Sequence, residues 1–105
     1  MEGMELISFN IISNVGSAKS MIMESMKNSR EGKFEEAKEL LSEANKYLII
    51  GEREHFKIIS KEAKKEAKVD INILFMHAED QLMSTVTLRD VANELLEMYK
   101  MIHKN

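Results

Sequence analysis

Apolar residues recur every three or four positions along three segments of the chain, which is the spacing of one face of an α-helix. The first segment stops at a polar break that ends in Gly32, a residue suited to the left-handed conformation that often ends a helix. The predicted helices run from about Met4 to Asn28, from Phe34 into the charged stretch 61–68, and from a cap near Asp70 to about His103.

The apolar stripe of the second segment alternates steps of three and four, as in helices that pack along one another at a shallow angle. Gly51 lies within this stripe and costs up to about 1 kcal/mol in a helix interior, which indicates close packing or a local bend there. The expected stripes are Ile7, Ile11, Val15, Ala18, Ile22 and Met26, then Phe34, Ala37, Leu41, Ala44, Leu48, Gly51, His55 and Ile58, then Leu74, Ala78, Gln81, Thr85, Leu88, Ala92, Leu95, Tyr99 and Ile102.

The chain has 105 residues with no Pro and four Gly, so little interrupts its helices. A sandwich or barrel of many strands needs frequent turn residues and is excluded. The length suits one domain, residues 1–105, and the predicted fold class is all-α, an antiparallel three-helix bundle. Apolar residues beside the stripes need another surface to cover them, so self-association is expected. They include Ile12, Leu40, Tyr47, Phe75 and Val86.

The distribution of charge excludes two classes of partner. Fifteen Lys and Arg are interleaved with eighteen Asp and Glu, for a net charge of −3, so no basic patch that would bind nucleic acid is expected. The longest uncharged stretch, residues 6–18, is too short and too polar to cross a bilayer and lacks the flanks of a signal peptide. With no Cys, disulfides, thiolate metal sites and Cys nucleophiles are excluded. No membrane insertion is expected, and the expected location is the cytoplasm.

A group of polar side chains adjoins the apolar seam of the third helix. Its histidine, His77, has a neutral ring nitrogen that is nucleophilic near neutral pH without a separate base, which suits gain and loss of a phosphoryl group. The side-chain amide of Gln81 and the hydroxyl of Ser84 are hypothesised, from helical spacing alone, to donate hydrogen bonds to the phosphoryl oxygens. The same spacing is also compatible with an ordinary structural role for His77, as a hydrogen-bonded or half-exposed histidine. The group consists of His77, Asp80, Gln81 and Ser84, at relative positions 0, 3, 4 and 7.

Other kinds of site are less well supported by the sequence. His77 and Asp80 supply two zinc ligands, and no second His or Cys stands at ligand spacing nearby. Neither a Gly-rich phosphate loop nor a Ser/His/Asp set at recognisable spacing occurs. His55 lies on the second-helix stripe, where a core or seam role is expected, and His103 is expected to be an ordinary helix-end cation.

Three blocks of the sequence resemble a single family. Residues 75–85, Phe-Met-His-Ala-Glu-Asp-Gln-Leu-Met-Ser-Thr, resemble the His-Ala/Gly-Gln-Asp-His-Leu-Met-Thr-Ser/Thr signature of the lactose/cellobiose-type enzyme IIA component of the bacterial phosphoenolpyruvate-dependent sugar phosphotransferase system. Residues 11–20 are similar to that family's first-helix pattern of apolar residues, a Gly and then Ala-Arg-Ser. Residues 32–37 are similar to its Gly-Asp-Phe-x-x-Ala helix junction. The blocks stand in the family's order, and the resemblance covers nearly the whole chain.

The resemblance implies a phosphotransferase component that works as a carrier. His77 matches the phosphorylated histidine, which accepts phosphate from the histidine-containing phosphocarrier protein and passes it to a cysteine of the IIB component. The membrane IIC component then couples that phosphate to uptake of a lactose-, cellobiose- or chitobiose-type sugar, and it mainly sets which sugar is used. The family's protomers are three-helix bundles that form a nine-helix trimer, which would cover the surplus apolar surface.

The resemblance also implies a metal ion on the trimer axis. Asp80 matches the aspartate whose three copies meet there around one ion. Three converging carboxylates cannot all stay ionised without a cation. A hard ion with oxygen ligands, such as Mg²⁺, would suit them.

The sequence departs from the family pattern around the motif. Gln81 stands at the family's second histidine, and Glu79 replaces the usual Gln and adds a negative charge close to His77. On the second helix, His55-Phe56 stands where the family has Gln-Thr. Two other functions stay open. One is a helical adaptor or regulatory relative that has lost phosphotransfer, and the other is the histidine-phosphotransfer module of two-component signalling, whose His is usually followed by Lys-Gly.

Overall fold

A computed structural model describes residues 3–64 and 72–104 of the chain. These residues form three α-helices, α1 (Gly3–Arg30), α2 (Phe34–Lys64) and α3 (Ile73–His103), and no strand lies in the two described ranges. None of the helices, over the residues described, is both long and apolar enough to cross a bilayer. The prediction of an all-α chain of three long helices is confirmed.

The turn between α1 and α2 is built around Gly32. Its φ of 80° lies in the left-handed region, which L side chains adopt only with strain. The amide of Gly32 donates to the carbonyl of Ser29 at 3.1 Å, and the amide of Lys33 donates to the carbonyl of Asn28 at 2.8 Å. These two bonds form a Schellman motif, which satisfies the last carbonyls of α1. The helix-ending role predicted for Gly32 is therefore confirmed.

The N-terminus of α3 is capped by Asn72. Its backbone is extended, and its side-chain Oδ1 accepts a hydrogen bond from the amide of Phe75 at 2.8 Å. An asparagine in this position satisfies one of the amides that the first turn leaves without a helical partner. The cap that the sequence predicted near Asp70 concerns a residue outside the described ranges, and the helix itself starts three residues later, at Ile73.

The core lies along α1, which packs against both α2 and α3 along its length, whereas α2 and α3 meet less extensively. The stripe predicted for α2 is confirmed, because its central apolar residues are buried at the positions the spacing indicates. The buried apolar residues are Ile11, Val15, Ala18 and Ile22 of α1, Ala37, Leu41, Ala44, Leu48 and Ile58 of α2, and Phe75, Ala78, Leu82, Ala92 and Leu96 of α3.

The stripe predicted for α3 is partly wrong. Phe75, which the sequence analysis placed among the surplus apolar residues, is only 5% exposed and belongs to the core, whereas Ile102 is 60% exposed. The physical reason is that α3 carries apolar residues on two sides, so its periodicity alone does not decide which side packs against α1. The prediction is correct for Ala78, Thr85 and Ala92, which are buried. The remaining surplus residues, Ile12, Leu40, Tyr47 and Val86, are half-buried.

Candidate functional site

His77 lies in the second turn of α3, and its side chain is exposed. Asp80, one turn further on, is also exposed, and Gln81 is half-buried. Within the described part of the chain, no hydrogen bond or ion pair engages the imidazole of His77 or the carboxylate of Asp80. The helix thus presents a nucleophilic ring and a carboxylate side by side on its accessible surface.

Ser84, two turns beyond His77, is exposed but already engaged. Its Oγ donates to the backbone carbonyl of Gln81 at 3.3 Å. Such a bond to the preceding turn is common for serine in a helix and is readily exchanged for another acceptor. Ser84 therefore shares the face of His77, as the spacing predicted, and lies about 10 Å further along the helix axis.

An exposed apolar stripe runs along α3 on the side opposite its core residues, and Asp80 lies within it. Met76 stands four residues before Asp80 and Met83 three residues after it, and these side chains are 57% and 63% exposed. Large apolar side chains aligned on one helix face and open to water mark an interaction surface. The outer stripe, as we call it, consists of Ile73, Met76, Met83, Val91, Met98 and Met101.

Glu79 points away from this surface and towards α2. Its Oε2 lies 2.7 Å from Nε2 of His55, and the imidazole of His55 stacks on the ring of Phe75 with centroids 6.0 Å apart and planes at 11°. Neither group is fully buried: the side chains of His55 and Glu79 are 21% and 40% exposed. The extra negative charge that the sequence places near His77 is therefore paired with a side chain of another helix.

The pairing of His55 with Glu79 does not follow from the sequence analysis. The sequence assigns His55 only a core or seam role on the α2 stripe, and it presents Glu79 only as a charge close to His77. The two residues are 24 positions apart on different helices, which no helical period connects. The available signal was that both positions depart from the pattern of the family that the sequence resembles, and that their side chains are chemically complementary.

The described residues of a single chain contain no group of three or more His, Cys, Asp or Glu side chains that could hold a metal ion. Asp80 contributes one carboxylate, so a metal site at this residue needs ligands from other copies of the chain. A shared site of that kind fits the position of Asp80, because a stripe that brings copies together would also bring their Asp80 side chains together.

Two clefts lie elsewhere on the surface. One of about 340 Å³ lies between α2 and α3, and the other of about 380 Å³ lies between α1 and α3. Neither is lined by His77, whose ring is open to solvent. The accessible position suits a reaction with a partner protein more than one with a small molecule held in a pocket. The cleft between α2 and α3 is lined by Lys38, Leu41, Ser42, Asn45, Arg89, Asn93 and Leu96, and the cleft between α1 and α3 is lined by Met23, Met26, Lys27, Arg30, Leu95 and Tyr99.

Solved structures resemble the whole bundle. The cellobiose-specific enzyme IIA of Bacillus anthracis superposes with a TM-score of 0.92 at 31% sequence identity, covering 100% of this chain and 96% of that one. A crystal structure of PtcA from S. mutans superposes with a TM-score of 0.88 at 37% identity, covering 95% of this chain and 99% of that one. These similarities extend over the complete fold, including α3 and its motif.

Curated proteins and a family model give the same result from sequence. The oligo-beta-mannoside-specific EIIA component of Bacillus subtilis is 40% identical over 96 residues, which cover 91% of this chain and 86% of that protein. The lichenan-specific enzyme IIA component of the same organism is 36% identical over 101 residues, covering 96% and 91%. The model of the family described as "PTS system, Lactose/Cellobiose specific IIA subunit" matches residues 6–100. The chain therefore belongs to the lactose/cellobiose-specific IIA subunit family of the sugar phosphotransferase system.

Proposed function

We propose that this chain is the phosphoryl carrier of a sugar phosphotransferase system and that His77 is the residue phosphorylated. The observation that carries the proposal is the exposed, unengaged imidazole of His77 on a capped helix, in a chain of this family. A ring nitrogen of His77 attacks the phosphorus held on the histidine of the phosphocarrier protein. A new N–P bond forms as the donor's N–P bond breaks, and the donor imidazole leaves with its electron pair.

The second transfer moves the phosphoryl group from His77 to the IIB component by the same kind of displacement at phosphorus. A cysteine thiolate of IIB attacks the phosphorus, and an S–P bond forms as the N–P bond to His77 breaks. The His77 ring, with a proton on its other nitrogen, leaves as a neutral imidazole and takes the electron pair of the N–P bond. A histidine suits both steps because its ring is a good nucleophile and a good leaving group. The partner proteins supply the positioning, so no deep pocket is needed around His77.

Self-association through the outer stripe completes the proposed carrier. Three copies that meet along this stripe of α3 would cover its exposed Met and Ile side chains and would bring three Asp80 carboxylates together. Like charges that converge in this way require a cation, and carboxylate oxygens suit Mg²⁺. A bound ion would supply charge compensation at the axis. We therefore propose a homotrimer with a divalent metal site formed by Asp80 from each copy.

The hydrogen-bonding groups beside His77 are proposed to hold the phosphoryl oxygens. Gln81 is half-buried on the same face, so its amide is partly fixed by packing, and the Ser84 hydroxyl is available by rotation about its χ1. Replacement of either by Ala is expected to shorten the lifetime of the phosphorylated form. Unchanged levels and lifetimes in both variants would remove this role.

The imported sugar is proposed to be a β-linked di- or oligosaccharide of the lactose, cellobiose or chitobiose type. Relatives of this chain are named for oligo-beta-mannosides, lichenan and lactose, which supports the chemical class and not one member of it. The membrane component sets the sugar within that class.

Reconstituted phosphoryl transfer tests the proposal directly. Phosphoenolpyruvate, enzyme I and the phosphocarrier protein are incubated with the wild type, with His77→Ala, and with His103→Ala, which removes a histidine at the other end of the same helix. The wild type and His103→Ala should each gain one acid-labile phosphoryl group per chain by mass, and His77→Ala none. Labelling of His77→Ala would place the phosphate elsewhere. No labelling of the wild type, with the assembly intact, would point to a binding or regulatory role.

A further inference from the structure

A single α2 side chain contacts α3 on both sides of His77. The Nε2 atom of His55 lies 2.7 Å from a carboxylate oxygen of Glu79, two residues after His77. The His55 ring lies parallel to the ring of Phe75, two residues before His77, with centroids 6.0 Å apart. His55 is therefore attached to α3 by one polar contact and one stacking contact, and these bracket His77 in the sequence.

Because of helix geometry, these two contacts constrain the direction in which the His77 side chain leaves α3. Residues two positions apart are rotated by roughly 200° about the helix axis, so Phe75 and Glu79 both lie on the side of α3 facing away from His77. Phe75 is 5% exposed and fixed in the core, and the contact with Glu79 adds a second point of attachment one turn along. Two attachments on one side fix the rotation of this turn and thus the direction in which His77 leaves the helix.

The contact is placed where α3 has few other restraints. His77 is in the second turn, close to the N-terminus, where helices fray most readily. The first helical residue, Ile73, is 86% exposed and contributes little packing. Contacts between α2 and α3 are sparse compared with those that α1 makes to each of them. A link between α2 and this part of α3 therefore has a larger effect on the position of His77 than the same link would have in the middle of the bundle.

The contact also fixes the Glu79 carboxylate on the side of α3 that faces away from His77. A carboxylate that faced a phosphorylated His77 would repel the phosphoryl group and its incoming donor. The His55 ring holds that carboxylate on the α2 side of the helix. The pair thus holds the negative charge on the side that helix geometry already turns away from the reacting ring, and it anchors the turn that carries the ring.

We propose that His55 is a positioning residue for phosphoryl transfer at His77, acting through its contacts with Phe75 and Glu79. The inference rests on the proposed carrier function, and it concerns a residue that touches neither the phosphoryl group nor a partner's reacting atom. A displacement of about 1 Å in a reacting group can lower a rate by as much as about a hundredfold. His55 therefore acts on the rate of transfer, with the bundle and its assembly left in place.

The first experiment measures kcat/KM for phosphoryl transfer from the phosphocarrier protein to four proteins. These are the wild type, His55→Ala, His55→Gln and Lys57→Ala; the last breaks an ion pair with Glu54 that lies within α2 and does not reach α3. We expect His55→Ala to lower kcat/KM about tenfold, mainly through kcat, because the transferring geometry and not the docking is lost. His55→Gln, which retains a hydrogen-bonding group for Glu79, should recover part of that loss, and Lys57→Ala should match the wild type.

The second experiment reads the mobility of the turn that carries His77, without any partner. Backbone NMR relaxation reports the order parameters of residues 75–79 in the same four proteins. His55→Ala should lower these order parameters, whereas His55→Gln should lower them less and Lys57→Ala not at all. Circular dichroism and sedimentation confirm that each variant is helical and assembled as the wild type is, and Glu79→Ala takes the place of His55→Ala if the latter does not fold.

The two experiments separate the failure of the function from the failure of the positioning role. A wild type that takes no phosphate overturns the proposed function, and the backbone order parameters of residues 75–79 then decide alone whether His55 fixes this turn. A wild type that is phosphorylated, together with a folded His55→Ala whose rate and backbone order parameters at residues 75–79 are unchanged, overturns the positioning role. A lower rate in both His55→Ala and Lys57→Ala would also overturn it, since the loss would then be general to α2.

Discussion

Gly51 of α2 lies so close to Val15 of α1 that a β-carbon on Gly51 would sit 3.2 Å from Val15 Cγ2. The same β-carbon would lie 3.4 Å from Cδ1 of Leu82 on α3, so the three helices converge here. Of the two explanations that the sequence allowed for a glycine within the α2 stripe, close packing is the one observed. Gly16, also inside a helix, offers a comparison, because a β-carbon there would have none of the described neighbouring atoms within 4 Å.

Alanine substitutions at these two glycines should have different effects on stability. In a helix interior, Gly→Ala contributes up to about 1 kcal/mol through propensity. Gly16→Ala should gain most of that, whereas in Gly51→Ala the crowding of a fully buried Val15 should cancel or reverse it. Unfolding in urea at one fixed protein concentration measures both, with sedimentation to check that assembly is unchanged. An equal gain at the two positions would show that the contact at Gly51 is not tight.

Substitution of Gly32 should destabilise the turn between α1 and α2 by two separable effects. Its φ of 80° costs an L residue about 1–2 kcal/mol, and a β-carbon there would lie 3.1 Å from Nδ1 of His103. The other ring nitrogen of His103 lies 3.3 Å from the carbonyl oxygen of Arg30, which holds the ring over the turn. Gly32→Ala should therefore lower the free energy of unfolding by about 1–2 kcal/mol or more, as measured by urea denaturation.

A double-mutant cycle with His103→Ala isolates the crowding from the backbone strain. In the His103→Ala background the ring is gone, so Gly32→Ala should cost only the strain of the left-handed conformation. A cost that is the same in both backgrounds would mean that the His103 ring moves aside without penalty.

Two buried serines of α1 differ in their hydrogen bonding and should differ in their response to alanine. Ser25 Oγ donates to the carbonyl of Ala37 on α2 at 2.8 Å, whereas Ser29 Oγ has no partner among the described residues. Both side chains are fully buried. Ser25→Ala should lower stability by about 1 kcal/mol, and Ser29→Ala should be neutral or stabilising because it removes a buried polar atom. Denaturant unfolding checks the difference, and a larger loss at Ser29 would contradict it.

The sequence predicted the helices and the α2 face well because both depend on local periodicity. The buried positions of α2 follow one unbroken stripe that includes Leu41, Ala44 and Leu48. The buried face of α3 was harder to predict, because Phe75 and Met76 are adjacent and apolar while only Phe75 packs inside. Which of two apolar sides faces the core depends on the neighbouring helices, and a single sequence does not encode that in its period.

The candidate site likewise has features that follow from local helical spacing and features that depend on how the helices pack together. The accessible surface shared by His77 and Asp80 follows from their three-residue spacing on a helix. The contact between His55 and Glu79 depends on how α2 and α3 are aligned along the bundle, which a helical period does not specify. Sequence reasoning therefore predicted the residues presented by α3 and missed the α2 residue that contacts the same turn.

Chelation of divalent metal should lower the stability of the assembled wild type through Asp80. In the proposed trimer three Asp80 carboxylates would repel one another once the cation is withdrawn, so EDTA should lower the Tm by about 4 °C or more. Asp80→Asn has no charge there and should be insensitive to EDTA. Asp90→Asn is the matched control, since Asp90 is an exposed aspartate of the same helix paired with Arg89 at 3.2 Å, and it should respond as the wild type does. Equal responses to EDTA in Asp80→Asn and the wild type would exclude Asp80 as the ligand, and a wild type that does not respond would exclude a stabilising ion at the axis.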